Sequence, residues 1–235
     1  MVRGSPNGGD WDNIDILLRR SIDDGRTWSK PAEITKTFEA FRKDYDWKVL
    51  ATGPNHSIQL KNGRLLVPVW LSTGTGRNAH RPSVTSTIVS DGAGKTWQAG
   101  EIAIPCTSKF VNPNETVAGE IADGRVMLNA RNESEARRRI VVTSPDGATR
   151  WSVPHFQKDL VDPVCMGGLT RYHYEGKRLL LFSNPDTPKG RRNVTVRVSE
   201  DEGKTWPTSR FVKPGWSAYS DITVTPSGTI LCFYG

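Results

Sequence analysis

Residues 199–206, Ser199-Glu200-Asp201-Glu202-Gly203-Lys204-Thr205-Trp206, carry the pattern on which the fold reading turns. The same pattern stands at Ser21-Ile22-Asp23-Asp24-Gly25-Arg26-Thr27-Trp28. Two worn copies lie between, Ser90-Asp91-Gly92-Ala93-Gly94-Lys95-Thr96-Trp97 and Ser144-Pro145-Asp146-Gly147-Ala148-Thr149-Arg150-Trp151. The copies recur at intervals of roughly 55–70 residues, which signals an array of similar supersecondary units. Each copy reads as a hairpin turn. Ser and Asp side chains can accept nearby backbone N–H groups, Gly supplies a positive φ, and the final Trp is expected to return as an apolar plug against its sheet. In the worn copies Gly92 sits where Asp is expected, and Ala148 and Arg150 replace Gly and Thr. A structural turn tolerates such wear, so none of the boxes is assigned catalysis.

Around the boxes the chain alternates short β-rich runs with turn residues. Ile14, Ile16 and Leu18 form a half-buried strand before the first box, and further runs fall at 64–70, 84–89, 125–128, 140–143, 178–182, 194–198 and 229–233. They are β-branched or leucine-rich and bounded by Gly, Pro, Asn and Asp. No long window carries a helical period. Repeated four-stranded units with Trp-bearing turns predict an all-β chain of the β-propeller class. At 235 residues there is room for about four blades in one domain spanning residues 1–235.

Composition excludes several function classes. The net charge of +7 favours anionic partners, but the one dense basic run, Arg137-Arg138-Arg139, follows Glu133 and Glu135 and reads as a solvated loop entering a strand. With no stacking platform or known motif beside it, nucleic acid is not an expected partner. Cys106, Cys165 and Cys232 are widely spaced with no CxxC, which predicts buried strand thiols rather than a zinc or dithiol site. No run of apolar residues is long enough for a transmembrane helix. The first twenty residues lack the apolar centre of a signal peptide, so the compartment stays open.

Between the boxes lie the residues that carry chemistry. The chain reads Gly53-Pro54-Asn55-His56-Ser57-Ile58-Gln59-Leu60, then Asn62-Gly63-Arg64-Leu65-Leu66-Val67-Pro68, then Asn114-Glu115-Thr116. There follow Asp123-Gly124-Arg125-Val126-Met127-Leu128-Asn129-Ala130-Arg131, Arg191-Arg192-Asn193-Val194-Thr195-Val196-Arg197, and Ser217-Ala218-Tyr219-Ser220-Asp221. In order and spacing these resemble the exo-α-sialidase (neuraminidase) family of the bacterial and animal type over nearly the whole chain.

The resemblance implies a six-bladed propeller with its pocket on the axis, and a glycoside hydrolase releasing terminal α-linked sialic acid from glycans or glycolipids. Tyr219 is then the nucleophile, Glu115 the base that activates it, and Arg131 and Arg191 members of the cluster that grips the substrate carboxylate. Arg192 points to the opposite side of a strand from Arg191 and competes for that role. The acid belongs to the loop before the first box, where Asp10 fits best and Asp12 next, with Asp15 structural. His56 is either a pocket wall or a satisfied turn histidine. No step demands a metal or cofactor.

Two departures bear on activity. The family's first arginine motif, Phe/Tyr-Arg-Ile/Val-Pro, is not matched by Val2-Arg3-Gly4, and the chain stops at Phe233-Tyr234-Gly235 before the family's closing strands. The expectation is a fragment with exposed sheet edges and weak or no activity. The competing reading is a non-catalytic sialoglycan-binding or degenerate propeller.

Overall fold

Each box closes a hairpin between two neighbouring strands of an antiparallel sheet. The computed structural model describes residues 2–3 and 15–235. Strands β1 (Val2–Arg3), β2 (Asp15–Leu18) and β3 (Ala32–Glu33) form the first sheet. The second runs β4 (Val49–Thr52), β6 (Leu65–Ser72), β7 (Ser83–Ser90), β8 (Gln98–Ala99), with the short β5 (Ile58–Gln59) also on β6. The third is β9 (Thr116–Glu120), β10 (Val126–Ala130), β11 (Arg138–Ser144), β12 (His155–Val161). The fourth is β13 (Gly168–Tyr174), β14 (Lys177–Pro185), β15 (Arg192–Ser199), β16 (Thr208–Trp216), and β17 (Ser220–Val224) pairs β18 (Ile230–Tyr234). Among the described residues, three meanders of four strands, one of them carrying β5 as an extra strand, are therefore flanked by a three-stranded and a two-stranded sheet.

The leading strands of successive sheets face one another, β9 on β13 and β13 on β17, so the sheets radiate from a common axis as propeller blades do. The approach is tight at Gly168, where a Cβ would stand 2.8 Å from the Ile222 nitrogen and 2.9 Å from the Asp221 Cα. Only glycine fits there. Apolar faces fill the wedges between blades. Leu66, Val126, Leu128 and Ile140 share one wedge, and Met127, Leu169, Leu180, Phe182 and Trp206 share the next.

Hydrogen bonds explain the boxes. In the last copy the Asp201 carboxylate accepts the Thr205 N–H at 2.8 Å, the Thr205 hydroxyl at 2.7 Å and the Ser199 hydroxyl at 2.8 Å. The Ser199 oxygen in turn accepts the Gly203 N–H at 2.8 Å. The first copy repeats this with Ser21, Asp23, Gly25 and Thr27. The third copy is less worn than its spelling suggests. Thr149, one position early, donates both N–H (2.8 Å) and hydroxyl (2.7 Å) to Asp146, so the threonine role is kept. Only the second copy has lost its acid, and its Asp91 pairs with Arg64 at 2.7 Å instead.

Several sequence expectations need correction. Trp206 is a buried plug, edge-on to Phe182 with ring centroids 5.9 Å apart, but Trp28 is 57 % exposed, its indole N–H donating to the Gly25 carbonyl at 2.9 Å. Trp97 and Trp151 are partly buried. A short 3-10 helix over Thr35–Lys43 interrupts the strands, and Phe38 and Phe41, three apart on one side of it, are buried. Arg139 is no solvated loop residue: it lies on β11 with its side chain fully buried. Of the cysteines only Cys165 is fully buried, and it sits in a loop; Cys106 is a partly buried loop residue and Cys232 a partly buried one on β18.

Candidate active site

Four of the residues singled out above lie at strand ends on one side of the array. Glu115 immediately precedes β9 and Arg131 immediately follows β10. Thr116 pairs with Ala130 in the antiparallel register, and the ladder runs one step further. The Arg131 N–H donates to the Glu115 carbonyl at 2.9 Å, which makes the two residues cross-strand neighbours. The fifteen intervening residues are the hairpin that brings them together. Arg191 precedes β15 and Tyr219 precedes β17 in the same sense.

The side chains converge. The Tyr219 hydroxyl donates to Glu115 Oε1 at 2.6 Å. Arg131 Nη1 donates to the Tyr219 oxygen at 2.8 Å and also ion-pairs with Glu115 Oε2. The Asn114 side chain accepts the Glu115 N–H at 2.7 Å, fixing the backbone that carries the carboxylate. The Arg191 guanidinium sits 5.0 Å over the Tyr219 ring, and its Nη2 donates to the Val164 carbonyl at 3.0 Å. Arg192 faces away and stacks 4.3 Å over Trp216. Asp10 and Asp12 lie outside the described residues.

Electrostatics follow from this packing. Burial, with the Glu115 hydrogen bond and charge added, pushes the Tyr219 phenol above its ordinary value, and the pull of Arg131 and Arg191 does not cancel it. The phenol is therefore neutral near pH 7 and donates its proton toward Glu115. Burial alone would lower the Arg131 guanidinium, but Glu115 and Tyr219 outweigh it and hold the group above the ordinary arginine value. The centre can thus move a proton from a phenol to a carboxylate beside fixed positive charge. That suits nucleophilic attack on an anionic substrate.

His56 pairs with Asp221, Nδ1 to Oδ1 2.8 Å, and the hydrogen bond to that carboxylate outweighs burial and raises its pKa. It also borders a cleft of about 260 Å³ lined by Gln59, Glu120, Leu169 and Arg171. Among the described residues no group of three or more His, Cys, Asp or Glu is placed to hold a metal ion, and no helix is long and apolar enough to cross a membrane.

A sequence profile of the BNR repeat-like domain matches residues 2–232. This chain belongs to the BNR repeat-like family of the sialidases. It is similar to a sialidase of Bacteroides fragilis, 33% identical over 195 residues, covering 81% of this chain and 33% of that one. A sialidase of Micromonospora viridifaciens is 31% identical over 247 residues, covering 98% of this chain and 35% of its own. Among solved structures, the Hadza microbial sialidase Hz136 superposes with a TM-score of 0.82 at 34% identity, covering 97% of this chain and 44% of that one. The chain spans about a third of the length of these two curated relatives.

Around its converging side chains this sialidase-family chain builds a supporting layer that the sequence reading passed over. Asp162, only 1 % exposed, accepts the Val164 and Cys165 N–H groups through one oxygen and both the N–H and side-chain amide of Asn132 through the other. Arg139 bonds the side chain and carbonyl of Asn129 and the Cys165 carbonyl, with Asp162 3.7 Å away. The one available signal was the Asp162-Pro163 dipeptide, a turn former, directly after a strand.

Proposed function

We propose that this chain carries the catalytic centre of an exo-α-sialidase. It would release terminal α-linked sialic acid from glycoconjugates with retention of anomeric configuration. The observation that carries the reading is the triangle of Tyr219, Glu115 and Arg131, a neutral phenol hydrogen-bonded at 2.6 Å to a carboxylate that is itself ion-paired to a guanidinium. The similar sialidases named above support the substrate class. Sialic acid bears a carboxylate on its anomeric carbon, so a carboxylate nucleophile would approach against like charge. A phenol approaches neutral and gives up its proton only as the bond forms.

In the first step Tyr219 Oη attacks the anomeric carbon while its proton passes to Glu115. The glycosidic bond breaks, and the departing oxygen takes a proton from Asp10, or from Asp12 as second choice. In the second step a water gives its proton to that aspartate and attacks the same carbon. The tyrosyl–carbon bond breaks, and the phenolate recovers its proton from Glu115. Two inversions give net retention. Arg131 and Arg191 hold the substrate carboxylate, because guanidinium groups match its planar fork and keep their charge.

The test is proton NMR of the first product formed from a fluorogenic sialoside. The α-anomer of free sialic acid should appear first and mutarotate later. First appearance of the β-anomer, or neither turnover nor binding of sialic acid, overturns the reading.

A further inference from the structure

We propose that Asp162 is a positioning residue, one buried carboxylate that sets both Arg131 and Arg191 for their grip on a ligand carboxylate. This rests on the reading of those two arginines given above. The two oxygens of Asp162 serve two arms. Oδ2 accepts the backbone N–H of Asn132 at 2.9 Å and its side-chain amide at 3.1 Å, fixing the residue that directly follows Arg131. Oδ1 accepts the Val164 N–H at 2.9 Å and the Cys165 N–H at 3.2 Å. The Val164 carbonyl so aimed is the acceptor for Arg191 Nη2 at 3.0 Å.

Val164 shows what this costs. Its φ is 60°, in the left-handed region that a β-branched residue seldom enters. A conformation of that kind persists only where its surroundings over-determine it, and such residues cluster at functional sites. Here the Asp162 side chain holds the turn through the Val164 and Cys165 N–H groups. Arg139, whose Nη1 donates to the Cys165 carbonyl at 2.8 Å and lies 3.7 Å from Asp162, holds it as well. A turn with a purely structural duty could use glycine at position 164 without strain. The strain is explained if the carbonyl must point at Arg191 and nowhere else.

The experiment compares the whole chain as wild type, Asp162→Asn, Val164→Gly, Arg191→Ala and the Val164→Gly/Arg191→Ala double variant. One readout is ¹⁵N relaxation of the arginine Nε–H groups, with the Arg191 resonance assigned by its loss in Arg191→Ala. The other is affinity for the unsaturated sialic acid analogue 2-deoxy-2,3-didehydro-N-acetylneuraminic acid. Val164→Gly should melt no lower than wild type, yet leave the Arg191 guanidinium mobile and weaken binding by about threefold to tenfold, the scale of a slightly misplaced positioning group. In the Arg191→Ala background the same change should weaken binding less than about twofold, since its effect runs through that arginine. Asp162→Asn, which turns a donor toward one arm, should loosen Arg131 or Arg191. Should Asp162→Asn not fold, Val164→Gly alone decides. An Arg191 as rigid as in wild type in a folded variant overturns the proposal. If wild type binds no such analogue the sialidase reading fails, while the relaxation data still decide whether Asp162 orders the arginines.

Discussion

The hydroxyl of Tyr219 has two partners of opposite charge, Glu115 at 2.6 Å and Arg131 at 2.8 Å, and their balance defines what the residue can do. Burial and Glu115 keep the phenol protonated at neutral pH, so the proposed mechanism requires a proton acceptor rather than a standing phenolate. Glu115→Gln keeps a hydrogen bond but cannot take the proton. Steady-state assays should show kcat reduced by about 10²–10⁴ with the fold unchanged by circular dichroism. A variant within a factor of two of wild type would remove the base from the account. Glu115 and Arg131 were singled out through the family resemblance, and the structure adds that an antiparallel hairpin turns their sixteen residues of separation into a cross-strand contact. Arg139 was not legible. Three consecutive arginines read as solvent-facing, and nothing local reveals that β11 has neighbours on both faces or that Asn129 and the Cys165 carbonyl await the third. Asp162 was missed for the same reason, as its partners come from two loops about thirty residues apart in sequence.

Elements explain why the boxes persist while their letters drift. A box needs one carboxylate accepting from a threonine that follows, and Thr149 fills that post from a shifted position where spelling alone suggested loss. The second box lacks only the carboxylate. A Cβ on Gly92 would stand 2.9 Å from the Thr96 hydroxyl, the far end of a side chain that can turn, and Gly92 is not at positive φ. Gly92→Asp should therefore rebuild the bonds seen at Asp23. It should add about 1 kcal/mol, or roughly 2–4 °C in Tm, and a lower Tm would show that the worn box cannot accept an acid. The pH dependence has a definite sign. Burial pushes the Asp146 carboxyl up, but the N–H groups of Ala148 and Thr149 and the hydroxyls of Thr149 and Ser144 prevail and hold it well below the usual carboxylate range. Asp201 is held low in the same way. A depressed carboxylate stabilises the fold above its unfolded pKa near 4, and that contribution is lost as the pH falls through the folded value. Asp146→Asn should be less stable than wild type at pH 7, with the gap in Tm closing below about pH 3. Strands β2, β6, β7, β10, β11, β14, β15 and β18 were legible from β-branched or leucine-rich runs between turn residues, but β4, β9, β12, β13, β16 and β17 carry no such marked run, and the 3-10 helix was too short to carry a period.

At the scale of the molecule, apolar surface is unevenly spread. It is concentrated on the last two sheets, where Phe211 is 61 % exposed, Trp216 73 % and Phe233 81 %, and every residue of β16 is exposed. Apolar patches joined to sheet edges favour association. Light scattering after size exclusion should show mass rising with concentration, and Phe233→Lys should suppress the rise. A monomer at all concentrations would show that these faces are inert. The sequence period suggested about four blades. Among the described residues the structure shows three full meanders and two smaller sheets, a distinction invisible to the spacing of boxes because the final hairpin carries none.

In the proposed mechanism Tyr219 forms a covalent bond to the anomeric carbon of sialic acid. Incubation with 2,3-difluorosialic acid, whose fluorines slow release of the intermediate, followed by proteolysis and mass spectrometry, tests it directly. One adduct is expected, on the peptide bearing Tyr219 and absent from Tyr219→Phe. An adduct on another residue, or the same labelling in Tyr219→Phe, would contradict it.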